Sequence, residues 1–584
     1  MMNWKSLTRG RSDLLYRKVQ QITRTGKSAS RCLGINDKSG NLLTEPEQVR
    51  KRWHEYTEEL YCKDSKPKME DLAIENENDV DRDSRGPTLI ASEIREAIRE
   101  MKTGKAVGVD GIPAELLKLL ADEQLGRLEE ICAEMYETGS WPEDFTKVIM
   151  IPLPKKQNAV ECADHRTISL ISHASKILLR VLTKRIEGRI ADFIGKTQFG
   201  FRRGCGTREA IGVMRMVCER SLDLGNEVFV CFVDFEKAFD RVNWKKMMEV
   251  LKKVGIDWKD RRMICSLYMK QTAVVRVGNE CSDESVIGCG VRQGCCLSPL
   301  LFTLYMEMMM IEAMEDVEEG VKIGGQLLKD VRFADDQGMV ASSEAGLQRL
   351  MDSLVMVAKD YNMRINVKKT KVMKVCRKGD GAVNITLEGQ KVEQVMKFKY
   401  LGSWITADGR CELEVKSRIG MAKAAFAKRK ELLTKKMNRC VKKKIIKTVI
   451  WSTALYAAET WMLKKEETRR LNALEMWLWR RMEKISWTAK KTNEEVLQVV
   501  DEERTLVNTI VKRKKNWIGH ILRHDGLLRE VIEGKMEGKK PRGRPRMGML
   551  EELKEGSFAK MKRRAEDRER WSCWVPRTCL RTEH

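Results

Sequence analysis

The sequence is poor in histidine. It has six histidines (His54, His165, His173, His520, His524 and His584), and its 17 cysteines are scattered with no Cys-x-x-Cys pair. That distribution argues against a zinc-built module and for reduced thiols, and none of the histidines sits in a convincing nuclease motif. No run approaches the roughly 18 apolar residues of a membrane span, and the opening MMNWKSLTRGRSDLLYRKVQ holds no apolar stretch of signal-peptide length. Internal repeats are absent. Acidic residues are in deficit, 85 Asp+Glu against 110 Lys+Arg, which leaves a net charge of +25. An excess of that size points to a polyanionic partner, most simply nucleic acid; a generally basic surface or an anionic membrane is the blander reading.

At 584 residues the chain is too long for one core and suggests three or four modules. Residues 1–95 read as a partly disordered N-terminal connector in which only EPEQVRKRWHEYTEELY forms a good helix. Over residues 96–375, helical patterns such as ASEIREAIREM alternate with β-rich runs such as EVFVCFVDF and TAVVRVG, predicting a mixed α/β core. Residues 376–500 begin with the strand-and-turn signal FKYLGSWITADG and become helical. Lys416 to Lys447 holds thirteen Lys/Arg against Glu431 alone, so a helical domain with a strongly basic face is expected. Residues 501–584, with VKRKKNWIGHILRH and GKKPRGRPRMG, read as a basic nucleic-acid-binding region. Their PRGRP resembles the core of an AT-hook, with a flexible basic linker equally open.

Two adjacent aspartates, Asp335 and Asp336, interrupt the apolar run VRFADDQGMVA. Neighbouring carboxylates fit a buried strand only if the chain turns between them or a cation neutralises them. A third, Asp234, ends the strand-like run in VFVCFVDFEKAFDRV. The separation is 335 − 234 = 101 residues, so only the fold could bring them together. Three carboxylates at strand ends would make a hard-oxygen site suited to Mg²⁺, and two such ions about 4 Å apart can activate a 3′-hydroxyl and stabilise leaving pyrophosphate. Taken singly, Ala-Asp-Asp is a common solvated turn and Asp234 could be a helix cap.

The segments VDFEKAFDRV, GVRQGCCLSPLLFTLYME, RFADD, INVKKTKVM and FKYLGSWIT stand in the order and spacing of the A-to-E motifs of reverse transcriptases. Upstream, KAVGVDGIPAELLK, IPLPKK, DHRTISLISHASKILLRVLTKRI and QFGFRRGCGTREAI resemble that class's finger segments. Downstream, WSTALYAAETWML, RRLNALEMWLWRRM and WIGHILRHDGLLREVIEGKMEGKKPRGRPR resemble the thumb and tail of RTE-like elements. The chain therefore resembles a non-LTR (LINE-type, RTE-like) retrotransposon reverse transcriptase over nearly its whole length. The resemblance implies an α+β right-hand polymerase of fingers, palm and thumb with a helical basic C-terminal region.

It also implies roles. Asp234, Asp335 and Asp336 become ligands of two Mg²⁺ ions, with Mn²⁺ as a substitute, and the Phe235 carbonyl adds an oxygen. Phe239 falls where the family has an aromatic floor under the sugar. Gln293 and Gly294 match the loop against incoming nucleotide and template, and Ser298–Pro299 begins its supporting helix. Lys155 and Arg166 match finger positions that hold the triphosphate. Lys369 matches the lysine that protonates pyrophosphate.

The implied partners are an RNA template, a DNA primer or target, and dNTPs, with no membrane. The expected location is intracellular, the nucleus with a cytoplasmic pool. Thr167 stands where the family has proline, and Gly204–Thr207 reads GCGT where GRST is common. Elements of this type encode an endonuclease ahead of the polymerase, and the expectation here is a chain lacking that domain. Two other classes stay open: a catalytically inactive or domesticated nucleic-acid-binding remnant of a retrotransposon, and an intron-type maturase. The intact aspartates disfavour the first, and the RTE-like tail disfavours the second.

Overall fold

The computed structural model describes residues 34–61, 66–72, 74–75, 79–377, 381–435, 437–542, 546–554 and 556–576. Residues 543–545 of the PRGRP stretch, and with them the AT-hook expectation, lie outside these. Helix α1 (Pro46–Leu60) opens on a proline in its first turn and buries Val49, Trp53 and Thr57, one face at four-residue spacing. Tyr61 follows, 4% exposed. The stretch from Ile35 to Tyr61 is thus part of the main core and not a connector, because a stripe ending in Trp53 and Tyr61 is too apolar to leave in water.

In the fingers, α2 (Ala91–Arg99) packs on α3 (Ser175–Ile190). Between them in sequence, β1 (Lys147–Pro154) pairs antiparallel with β2 (His165–Leu170). Helix α4 (Thr207–Leu224) leads into β3 (Val228–Val233), all six of whose residues are buried. Strand β4 (Thr272–Val277) joins the finger sheet parallel to β1. Helix α5 (Ser298–Met314) starts at Ser298–Pro299 as expected and is buried almost all round.

The palm sheet has the order β5 (Asp330–Phe333), β6 (Asp336–Ala341), β3, β7 (Lys371–Val375) and β8 (Glu393–Gln394). The period of two along β3 divides its side chains between two cores. Phe229, Cys231 and Val233 join the core shared with α5 and with α6 (Glu344–Asp360). Val228, Val230 and Phe232 face α4 on the other side. An unbroken VFVCFV run is what such a doubly covered central strand requires.

The hairpin β9 (Lys397–Tyr400) and β10 (Ser403–Thr406) leads to the thumb, where α7 (Glu412–Ala427) packs on α8 (Lys465–Met482). The thumb cations among the described residues do not share one solvated face. Arg418 is buried against Glu414 and the Gly402 carbonyl, while Lys443 and Lys447 pair with Glu502.

The tail is not a separate module either. Helix α9 (Leu506–Arg523) places Leu506 and Ile510 in the thumb core and Trp517, Ile518 and Ile521 in the palm's second core. Helix α10 (Leu527–Glu533) rests on α4, and α11 (Phe558–Glu566) on α9. Lys514 is fully buried, its ammonium donating to the Trp461 carbonyl (2.6 Å) and to Glu552 (2.9 Å). Some of the tail's charge therefore ties it to the rest of the chain. Among the described residues no helix is long and apolar enough to cross a membrane.

One contact between tail and palm is sensitive to pH. Glu219 on α4 accepts the Met549 N–H through both carboxylate oxygens at 2.9 Å, and desolvation by burial pushes its carboxyl up to about 7 despite that bond. A folded-state value above the roughly 4.3 of an exposed glutamate means that the protonated form favours folding. Its contribution is complete in acid and is lost as pH rises through about 7. The midpoint of thermal unfolding should fall more between about pH 5 and pH 8 in the parent chain than in Glu219→Gln. Parallel pH profiles would show that Glu219 keeps an ordinary carboxyl.

Candidate active site

Strands β5 and β6 pair with Phe333 opposite Asp336, so Ala334 and Asp335 form a two-residue turn. Ala334 has φ +58°, the left-handed region that residues with a Cβ seldom enter. The two aspartates thus occupy different backbone environments, Asp335 in the turn and Asp336 at the head of β6. Strand β6 pairs with β3 with Gln337 opposite Val233. One step along that antiparallel register sets Asp336 beside Asp234.

Asp234 is held through its backbone, its N–H donating to Thr370 Oγ1 (3.3 Å) and its carbonyl accepting from the Asn366 N–H (2.8 Å). Phe235, 5% exposed, bridges to Ile365. The segment Arg364–Thr370, which contains Lys369, therefore lies alongside Asp234. Lys369 Nζ is 3.5 Å from Asp234 Oδ2.

All three aspartates line one cavity of about 1650 Å³. That exceeds the roughly 300–1,000 Å³ of small-molecule pockets and suits a polymer end plus a nucleotide. Asp336 opens to this cavity, yet burial pushes its carboxyl up to about 6, with Asp335 and then Asp234 adding like-charge repulsion. Burial and Asp234 also raise Asp335. Arg166 opposes both shifts. Clustered carboxylates that resist ionisation call for a cation.

The other expected residues line the same cavity. Arg166 is exposed there; Lys155 donates to the Ala163 carbonyl (3.1 Å), and burial lowers its ammonium's proton affinity. Phe239 stacks on Phe302 with centroids 4.1 Å apart and meets Phe201 edge-on at 6.3 Å. The Gln293 carbonyl accepts the Ser169 N–H (2.7 Å), fixing the loop against β2. Gly294 has φ +121°, and a Cβ there would lie 2.8 Å from the Ser169 carbonyl, so no larger residue fits.

Two residues that shape the site were not singled out from the sequence. Asp240, 6% exposed, accepts from Gln293 Nε2 (2.9 Å) and from the Tyr61 hydroxyl (3.0 Å), linking α1 to the nucleotide loop. Gln198, fully buried, accepts from the Ala334 N–H (3.0 Å). The available signals were an aspartate in the apolar AFDRV and a glutamine in QFGF.

Residues 153–405 match the family described as reverse transcriptase (RNA-dependent DNA polymerase). This segment is a reverse transcriptase domain. The RNA-directed DNA polymerase from mobile element jockey of Drosophila melanogaster is 26% identical over 335 residues, 54% of this chain and 35% of that protein. The transposon TX1 149 kDa protein of Xenopus laevis is 24% identical over 465 residues, 75% of this chain and 34% of its own length. The Pol polyprotein of the R2 element of Popillia japonica is 24% identical over 280 residues, 46% of this chain and 39% of its own. The chain thus spans about a third of the length of these relatives, which their names describe as products of mobile, transposon and retrotransposable elements.

Reverse transcriptases generally use divalent metal ions. The donor set here fits such a group: hard carboxylate oxygens, with Asp234 Oδ2 buried and accepting no hydrogen bond. Among the described residues, no group of three acidic, histidine or cysteine side chains is placed to hold a metal ion by itself.

Proposed function

We propose that this chain is an RNA-directed DNA polymerase that copies RNA into DNA from a primer 3′-hydroxyl, in retrotransposition. Asp234, Asp335 and Asp336, gathered around one cavity by the pairing of β3 with β6, carry this reading. Two Mg²⁺ ions held there, or Mn²⁺ in their place, would activate the 3′-hydroxyl and neutralise the leaving pyrophosphate. The Phe235 carbonyl is a further oxygen beside them. Arg166 and Lys155 bind the triphosphate, Arg166 by its bidentate fork. Lys369, beside Asp234, donates a proton to pyrophosphate. Gln293 and Gly294 back the incoming nucleotide, with Asp240 fixing the glutamine side chain. RNA template, DNA primer or target, and dNTPs are the partners, and the net charge of +25 supplies the attraction to their phosphates.

The test is primer extension by the purified chain on an RNA template with dNTPs and Mg²⁺. Extension that stops on chelation and returns with Mg²⁺ is the expected result. A folded chain that binds primer–template without extending it would favour the binding remnant instead.

Sugar choice is the finer consequence. Phe239, braced between Phe302 and Phe201, presents a ring that a ribose 2′-hydroxyl would strike. Phe239→Val should lower the preference for dNTPs over rNTPs by about tenfold or more, read as the ratio of kcat/KM values. An unchanged ratio would leave Phe239 an ordinary packing residue.

A further inference from the structure

The turn that carries Asp335 is strapped by a segment from the end of the fingers. The Phe199 N–H donates to the Arg332 carbonyl, and the Arg332 N–H donates to the Thr197 carbonyl, both at 2.9 Å. Residues 197–199 thus run as an extra parallel rail along β5. At the end of the rail, Gln198 Oε1 accepts from the Ala334 N–H (3.0 Å) and from the Gly200 N–H (2.8 Å). Both neighbours are donors, which assigns the oxygen to that side of the amide. Gly200 lies directly on the turn, where a Cβ would come within 2.3 Å of the Ala334 nitrogen.

Two features mark this contact as more than packing. Ala334 sits in the left-handed region, which an alanine holds only when its surroundings impose it. Gln198 Nε2 is buried with no hydrogen-bond partner, a cost that a leucine of similar volume would avoid. The carbonyl oxygen is what the position gains in return.

We propose that Gln198 is a positioning residue for nucleotidyl transfer: its carbonyl clamps the Ala334–Asp335 turn and so sets the carboxylates of Asp335 and Asp336, without touching substrate. This rests on the polymerase reading above. A displacement of about 1 Å at reacting groups can cost on the order of 10²-fold in rate. Gln198→Leu should therefore lower kcat by about 10- to 100-fold. Its KM for dNTP, its affinity for an RNA–DNA primer duplex and its unfolding temperature should stay close to those of the parent chain.

A readout independent of catalysis is hydrogen exchange of the Ala334 amide in the chain without nucleic acid. That amide should exchange about tenfold faster or more in Gln198→Leu, and regain protection in Gln198→Glu, which restores an acceptor oxygen. Unchanged protection in Gln198→Leu, or kcat within threefold of the parent, would overturn the proposal. So would a fall in kcat that merely tracks losses of unfolding temperature and duplex affinity. A parent chain that fails to extend a primer overturns the polymerase reading and this proposal with it; a parent chain that extends while Gln198→Leu matches it overturns this proposal alone.

Discussion

Asp335→Asn and Asp234→Asn are each expected to reduce primer extension on the order of 10³-fold or more, while duplex affinity changes by less than about threefold. The substitution keeps the side chain's volume and removes its charge. In the folded chain these carboxylates repel one another: burial and like charge raise Asp335, and Asp336 reaches about 6. Neutralising one member therefore relieves repulsion when metal is chelated, and the unfolding temperature should hold or rise. Lost activity in a variant at least as stable as its parent separates chemistry from folding, as at other sites where function is kept at a cost in stability. Retention of more than a few per cent of the parent's rate by either variant would remove that aspartate from the reaction.

The second large effect concerns the strand beneath the turn. Arg332 on β5 is 4% exposed; its Nε lies 2.7 Å from Asp330, and its Nη2 lies 3.2 Å from Glu307 and donates to Thr197 Oγ1 at 2.8 Å. Glu307, itself 2% exposed on α5, also accepts the Gly195 N–H (3.0 Å). This buried cluster joins α5, β5 and the chain leading to Gln198. Glu307→Ala should destabilise the protein by about 3–5 kcal/mol, since it strands a buried guanidinium and an amide. Glu307→Gln, which keeps an acceptor, should cost clearly less. The double variant Glu307→Ala/Arg332→Met should cost less than the sum of its single changes, because the second change removes the stranded charge. Chemical denaturation of the parent, Glu307→Ala, Glu307→Gln, Arg332→Met and the double variant reads all of this. A loss below about 1 kcal/mol in Glu307→Ala would mean that Asp330 and Thr197 satisfy Arg332 unaided.

Several features could be read before any fold was known because their information is local. The doubly apolar VFVCFV marks a central strand, Ser298–Pro299 marks a helix start, and the four-residue spacing of Val49, Trp53 and Thr57 marks a helix face. The aspartates were legible for the same reason: a carboxylate inside an apolar run is an anomaly visible within a ten-residue window. The anomaly also called for a turn at Ala334–Asp336 or a neutralising cation; the turn occupies Ala334 and Asp335, and Asp336 already belongs to β6. Motif order pointed to Phe239, Gln293, Gly294, Lys155, Arg166 and Lys369, all of which line the cavity.

By itself, then, the sequence determined the class of strand and helix, the positions of the three carboxylates, and a net charge suited to a polyanion. Tertiary structure alone decided which distant groups meet. Gln198 reaches Ala334 across 136 positions, Tyr61 reaches Asp240 across 179, and α1 belongs to the core and not to a linker. Structure also decided that α9 bridges thumb and palm, burying Lys514 where composition suggested only a basic arm. The physical reason is that periodicity and turn chemistry act over a few residues, whereas the partner of a buried donor or charge is set by how whole elements pack. A buried glutamine, aspartate or lysine reads in sequence like an exposed one until the groups that satisfy it are in place.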